Sequence, residues 1–462
     1  MSVQYGLLPM LGYWPADDAQ IVLLSGPTLT PAQTRQFCAQ RLMQMPVVLQ
    51  HWAQWSASLQ ASDNQRWAEH IGSPFWRQYA LDVAEPWRQL PLATYSLSEA
   101  LGHWQRLLEA LWPSRALQLP SALATAISAL NTQEWLTAPV AFWAEERAEW
   151  ATHAGLLSAR LLSIPVMPSS TQCRLIAEPA GAKLFRYTGD GQRPILMVFA
   201  TVNSAEVLDL NDQHSLLQAL QRQGFTPYLL DWSALGLQGG GLDVYEQQAL
   251  PLALDAVCAD SGQRQSDVLG VCQGGVFCLH AFHKSAKVRA LHLLATPLDY
   301  QCEQDVLTQW AKNSVLPTTS PTTEMPAISP GVLNVWFVYL KPFALRPGKL
   351  LNWLQRPPND IALSLAVQME HWLLSGPMLS SAALAQYRQR CVSASPSLTS
   401  DIPVQLLIAE QDHIVPPAAS LNGAEQRFSH LRVQRFTTGH IGLLMGRAHR
   451  QVAEAIAQWP SA

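Results

Sequence analysis

The sequence predicts an α/β protein: a mostly parallel sheet with helices on its faces, a cap insertion late in the sheet, and a mainly α-helical region before it. Three observations predict this architecture. From about residue 183 short β-rich runs alternate with helix-compatible stretches, the texture of a parallel sheet covered by its crossover helices. Between Asp299 and about Ser400 the alternation stops, as an insertion would make it do. Before about residue 175 apolar residues recur at helical spacing. The expected domains are therefore 1–175, helical and Trp-rich, and 176–462, the sheet domain with its cap at about 300–400.

Composition narrows the function classes. With 48% hydrophobic and 14% charged residues over 462 positions, the chain can bury a large core and is not mainly disordered. A net charge of -4 without clustered Lys and Arg leaves no basic stripe for a phosphate backbone, so nucleic acid is not an expected partner. The seven cysteines are scattered and form no Cys-x-x-Cys pair, which fits a reducing compartment and points to no metal. Neither a positively charged leader nor a run of the roughly 20 apolar residues that span a bilayer is visible, so a cytoplasmic protein without a transmembrane segment is expected.

In the helical region, Thr30 to Gln33 and Ser96 to Glu99 fit capping boxes, where a hydroxyl and a later amide or carboxylate satisfy each other's backbone N–H groups. Leu97, Leu101, Trp104, Leu108 and Leu111 then form one stripe, ended by Pro113. Eleven of the 17 Trp precede residue 151; aromatic side chains at helical spacing are read first as core. No motif there assigns a role. In the second region the candidate strands are Lys183–Thr188, Pro194–Phe199, Thr226–Asp231, Ser266–Val271, Ala290–Ala295, Val404–Ala409 and Leu431–Phe436. The linker Leu316–Pro330 leads into the apolar run Gly331–Leu340, and insertions at such a place commonly cover the carboxyl ends of the strands, where open α/β sheets form their sites.

The chemistry is concentrated in three short segments. Gly270-Val271-Cys272-Gln273-Gly274-Gly275, at a strand end and a helix start, has the form of a nucleophile elbow, whose small neighbours let a strained turn close and push one side chain out. The elbow residue is Cys272, and helix N-termini favour anionic groups. A cysteine nucleophile needs a base and a carboxylate to orient that base, in the chain order nucleophile, carboxylate, histidine. Asp412, after the strand Val404–Ala409, and His440, after Leu431–Phe436, stand in that order. Glu410, Asp401 and His413 are the nearby rivals. For an acyl-transfer oxyanion the expected donors are the Gln273 amide and the amide of Val202 or Asn203 in the loop after the early strand.

These residues resemble those of the polyhydroxyalkanoate synthases, an α/β-hydrolase-fold family, and within it the catalytic subunit of the two-subunit type. The resemblance rests on Leu184 to Tyr187, Pro194 to Asn203, Val207 to Leu210, Leu229 to Trp232, the cysteine box Leu269 to Gly275, Thr296 to Tyr300, Met369 to Trp372, Asp412 to Pro416 and Gly439 to Gly442. It implies an acyltransferase that polymerises 3-hydroxyacyl-CoA into polyester through an acyl-cysteine on Cys272, with CoA release and no cofactor. It further implies a cytoplasmic, granule-associated protein that meets the growing polyester, with a helper subunit and a homodimer as candidate partners. A thioesterase or esterase on the same scaffold, and a granule-binding protein without catalysis, remain alternatives, since three such residues do not say whether water or a hydroxyl ends the cycle.

Overall fold

The structure is a computed structural model. It describes residues 169–189, 191–233, 235–236, 240–302, 361–393 and 398–459, together with Arg35, Ala39, Ala159, Arg160, Asp305, Thr308 and the short strand Ala327–Ile328. The capping boxes and apolar stripe expected before residue 169, most of the linker Leu316–Pro330 and the apolar run Gly331–Leu340 lie outside the described residues.

The chain opens, in its described part, with strands β1 (Cys173–Ala177), β2 (Lys183–Tyr187) and β3 (Arg193–Val198). The small ribbon β4 (Asp209–Asn211) and β5 (His214–Ser215) leads into α1 (Leu216–Arg222), whose first amides are capped by the Ser215 hydroxyl accepting from Gln218 N, and then β6 (Phe225–Asp231) follows. Next come α2 (Leu250–Ser261), ended by Gly262 in the left-handed conformation, β7 (Ser266–Val271), α3 (Gln273–Phe282) and β8 (Val288–Leu294). The inserted stretch holds β9 (Ala327–Ile328), α4 (Ile361–Leu374), β10 (Leu379–Ser380) and α5 (Ser381–Val392). The chain then returns to the sheet as β11 (Val404–Ala409), α6 (Pro417–Leu421), α7 (Ala424–Arg427), β12 (Leu431–Phe436), α8 (Gly442–Met445) and α9 (Ala448–Ala457).

Eight strands form one sheet in the order β1-β2-β6-β3-β7-β8-β11-β12. β1 and β2 are antiparallel additions at one edge; from β6 to β12 every neighbouring pair is parallel. Parallel central strands buried on both faces read as continuous apolar runs, and β7 and β11 are buried at every position. Since successive strand side chains face opposite ways, Leu196, Val198, Leu230, Val268, Leu293 and Leu406 share one face, where Leu250, Leu254 and Val257 of α2 and Phe277 and Phe282 of α3 pack on them. Each such side chain contributes about 1.5–3 kcal/mol when fully buried, so this face is a main source of stability. α1 packs on β6 and against α9.

All seven expected strands are present, three with the expected ends and four with ends displaced by one or two residues. β1 was not expected: its first three residues are exposed, so no apolar signal marks it, and it crosses the expected 175/176 boundary. The chain divides into two compact units, one of Met1–Ser25, Leu29–Val166 and Phe337–His371, the other of Gly26–Thr28, Met167–Trp336 and Trp372–Ala462.

Candidate active site

Cys272 occupies the turn between β7 and α3. Its backbone has φ 54° and ψ -122°, a conformation that non-glycine residues rarely adopt and that the surroundings must enforce. The enforcement is visible. The Cys272 amide donates to Leu294 O at 2.8 Å, and its carbonyl accepts from Gly275 N at 3.0 Å. A Cβ on Gly270 would lie 2.5 Å from Gly275 Cα, and one on Gly274 would lie 2.5 Å from Val198 O. A Cβ on Gly275 would run into the Thr296 side chain. These three positions are glycine because strand, turn and helix approach each other too closely for anything larger. The thiol is reduced and half-buried, beside the cluster of Cys302, Val415 and Ala419.

Asp412 and His440 come from the ends of neighbouring parallel strands, β11 and β12, so the sheet itself sets their separation. His440 Nδ1 donates to Asp412 Oδ2 at 2.6 Å, both side chains being buried. The other carboxylate oxygen accepts from the amides of Ile414 at 2.8 Å and Val415 at 3.0 Å, which fixes its orientation. Cys272 is near enough to His440 to act on its charge. Burial pulls the imidazole pKa down, but the Asp412 charge, then Cys272, and the hydrogen bond to Asp412 outweigh it and push the value up to about 10. The rivals lie elsewhere: Glu410 accepts from the Thr437 hydroxyl at 3.0 Å, and Asp401 from the Ser429 hydroxyl at 3.0 Å. His413 is adjacent to Asp412 in sequence, yet the short hydrogen bond to the carboxylate comes from His440.

The expected oxyanion donors lie on two segments that the structure ties together. Gln273 opens α3, where the first amides have no partner within the helix. Its side chain reaches the loop after β3: Gln273 Oε1 accepts from Thr201 N at 3.1 Å and from Thr201 Oγ1 at 2.7 Å. Val202 is half-buried, and Asn203 is buried with φ 65°. Two residues that sequence reasoning did not place at the site hold this loop. Trp372, at the end of α4, donates its indole N–H to Ser204 O at 2.7 Å. Gly376 lies against the Asn203 backbone, so that a Cβ there would be 2.7 Å from Asn203 Cα. The motif around Trp372 was visible in the sequence, but no local signal connects it to position 204. Among the described residues no cluster of His, Cys, Asp and Glu could hold a metal ion.

The nucleophile-elbow turn, the late carboxylate–imidazole pair and every parallel strand but β3 fall within a family match, to the alpha/beta hydrolase fold, over residues 203–446. The chain belongs to that family. Within the alpha/beta hydrolases it is similar to the poly(3-hydroxyalkanoate) polymerase subunit PhaC of Thiocystis violacea, at 29% identity over 288 residues, 58% of this chain and 80% of that one. The subunit of the same name from Allochromatium vinosum is 29% identical over 287 residues, again 58% of this chain and 80% of its own length. Among solved structures, an epoxide hydrolase mutant from Bacillus megaterium aligns with 62% of this chain and 97% of its own, at 14% identity and a TM-score of 0.39. The resemblance to polyhydroxyalkanoate synthases read from the sequence is therefore borne out at the level of relatedness. Among the described residues no helix is long and apolar enough to cross a membrane.

Proposed function

We propose that this alpha/beta hydrolase is a polyhydroxyalkanoate synthase: it transfers 3-hydroxyacyl groups from CoA to Cys272 and from Cys272 to the hydroxyl end of a growing polyester. The observation that carries the reading is the buried His440–Asp412 hydrogen bond of 2.6 Å next to the elbow cysteine, in a chain related to poly(3-hydroxyalkanoate) polymerases. A pKa raised to about 10 gives His440 a proton at neutral pH, which defines the order of events. Cys272 attacks the thioester carbon as thiolate, and the Gln273 amide with that of Val202 or Asn203 receives the developing oxyanion. The tetrahedral adduct collapses, the bond to the CoA sulfur breaks, and the His440 proton goes to the departing thiolate. Neutral His440 then takes the proton of the incoming 3-hydroxyl as it attacks the Cys272 thioester. An oxygen ester forms, and the thiolate and protonated imidazole are regenerated. Asp412 holds the imidazole in orientation and balances its charge throughout.

Sulfur suits both halves. Thioester exchange onto Cys272 loses little free energy, which leaves the drop from thioester to oxygen ester to drive elongation. No cofactor enters this scheme. We extend the proposal to the two-subunit type at the surface of cytoplasmic polymer granules, with a helper subunit and a homodimer as candidate partners. The test is to incubate the purified protein with 3-hydroxybutyryl-CoA, follow free CoA with a thiol reagent, and extract polyester. CoA release with insoluble polymer is the expected result, and the Cys272→Ala variant should release none. CoA release with only monomeric hydroxy acid would make the protein a thioesterase, and undiminished activity of Cys272→Ala would remove Cys272 from the chemistry.

A further inference from the structure

The loop after β3 is held in a shape it would not keep by itself. Asn203 has φ 65°, in the left-handed region, and its buried side-chain oxygen has no hydrogen-bond partner, so both backbone and side chain are at a free-energy disadvantage there. Compensating contacts surround it. At the start of the loop the Trp232 indole N–H donates to Phe199 O at 2.9 Å, and next to the elbow Gln273 Oε1 holds Thr201 at two points. Beyond Asn203 the constraint comes from a different part of the chain. Trp372, 3% exposed, donates to Ser204 O at 2.7 Å, and Gly376, with φ 154°, brings its backbone so close that a Cβ would lie 2.7 Å from both Cα and C of Asn203.

We propose that Trp372 is a positioning residue for acyl transfer: its indole N–H on Ser204 O, backed by Gly376 against Asn203, fixes the loop 201–204 so that its amide meets the oxyanion alongside that of Gln273. The inference rests on the acyl-transfer reading of the site. Its physical basis is that oxyanion donors stabilise a transition state only when they are held in place before the charge develops. The Trp372 indole N–H is spent on Ser204 O, a backbone atom of the loop, and not on the nucleophile or the base. Its loss therefore acts on the loop and leaves the readiness of the Cys272 sulfur intact.

Trp372→Phe keeps the ring and removes the N–H. Two rates are measured on the full chain: CoA release from 3-hydroxybutyryl-CoA, and alkylation of Cys272 by iodoacetamide, which needs the thiolate but develops no oxyanion. The expected result is a kcat for CoA release lowered by about 10-fold or more, with KM changed less than about threefold and alkylation less than about twofold. Gly376→Ala, which pushes on the Asn203 backbone, should give the same signature, and it decides the matter if Trp372→Phe does not fold. An unchanged kcat in Trp372→Phe, or alkylation falling in parallel with kcat, overturns the role of Trp372 alone. Wild-type protein that is alkylated at Cys272 yet releases no CoA overturns the acyl-transfer reading and this inference with it.

Discussion

At His440 opposing effects decide which atom carries the proton. Burial disfavours the charged imidazolium, whereas the Asp412 carboxylate, next Cys272, and the hydrogen bond to Asp412 favour it, and the balance lies at about 10. An imidazole that keeps its proton at neutral pH is ready to protonate departing CoA. First-turnover CoA release should therefore fall as pH rises through about 10, where His440 loses that proton. Asp412→Asn removes the largest favourable cause, so the same limb should move to lower pH, and the rate near neutrality should drop by about 10³-fold or more, as expected when an orienting carboxylate is lost. A stopped-flow pH profile of both proteins checks the two statements, and an unmoved limb would detach Asp412 from the proton. The linkage has a sign. The folded value lies above the unfolded value of about 6.5, so the pair's contribution to stability is complete below that pH and disappears as pH rises through about 10.

The elbow is an element whose backbone fits only with glycine at its close approaches. Gly274→Ala would place a methyl 2.5 Å from Val198 O and 2.7 Å from Phe199 O, carbonyls of a central strand and its exit that cannot retreat without disturbing the sheet. Overpacking of this kind costs about 1–3 kcal/mol. Relieving it by shifting the helix start moves Cys272, and a displacement of about 1 Å can cost 100-fold in rate. A lower urea midpoint together with a greater than 10-fold loss of CoA release is expected; full stability with full activity would show that the turn has slack. The same element explains what was legible from sequence. Elbow, strand runs and the segments around Asp412 and His440 each announce themselves within about ten residues, because strand burial and turn closure are local demands. β1 did not, since its 173–175 side chains face solvent and its place is set by pairing Cys173 with Tyr187. Nor did the contact between Trp372 and Ser204, which are 168 residues apart, because only the assembled sheet brings the return of the inserted stretch to that loop.

At the scale of the whole sheet unit, the ends of the strands far along the chain from one another are fastened by one buried carboxylate. Asp267, at the start of β7 and 0% exposed, accepts from Arg193 of β3 at 2.7 Å and is paired with Arg289 of β8, with His292 Nε2 at 3.5 Å. The network continues outward. His292 Nδ1 meets Gln405 Oε1 of β11 at 2.7 Å, and Gln405 Nε2 donates to Ala455 O at 3.0 Å. Arg193 Nη1 donates to Ala457 O at 3.1 Å, satisfying a carbonyl at the end of α9 that has no partner within the helix, and Nη2 donates to Trp459 O just beyond it at 2.8 Å. Burial would raise the Asp267 pKa, but His292, Arg289 and Arg193 hold it well below the usual carboxylate range. A depressed folded value means that this stabilisation is present above the unfolded value near 3.9 and is lost as pH falls further into the acid range. Asp267→Asn keeps the shape and removes the charge that three cationic or polarised neighbours face, and breaking a buried pair from one side costs about 3–5 kcal/mol. Urea unfolding at pH 7 should show that loss. Below pH 4 the wild-type protein should lose more stability than the variant, so their curves converge. Equal stability at pH 7, or parallel curves down to pH 2, would mean that the sheet ends and α9 are held by apolar packing alone.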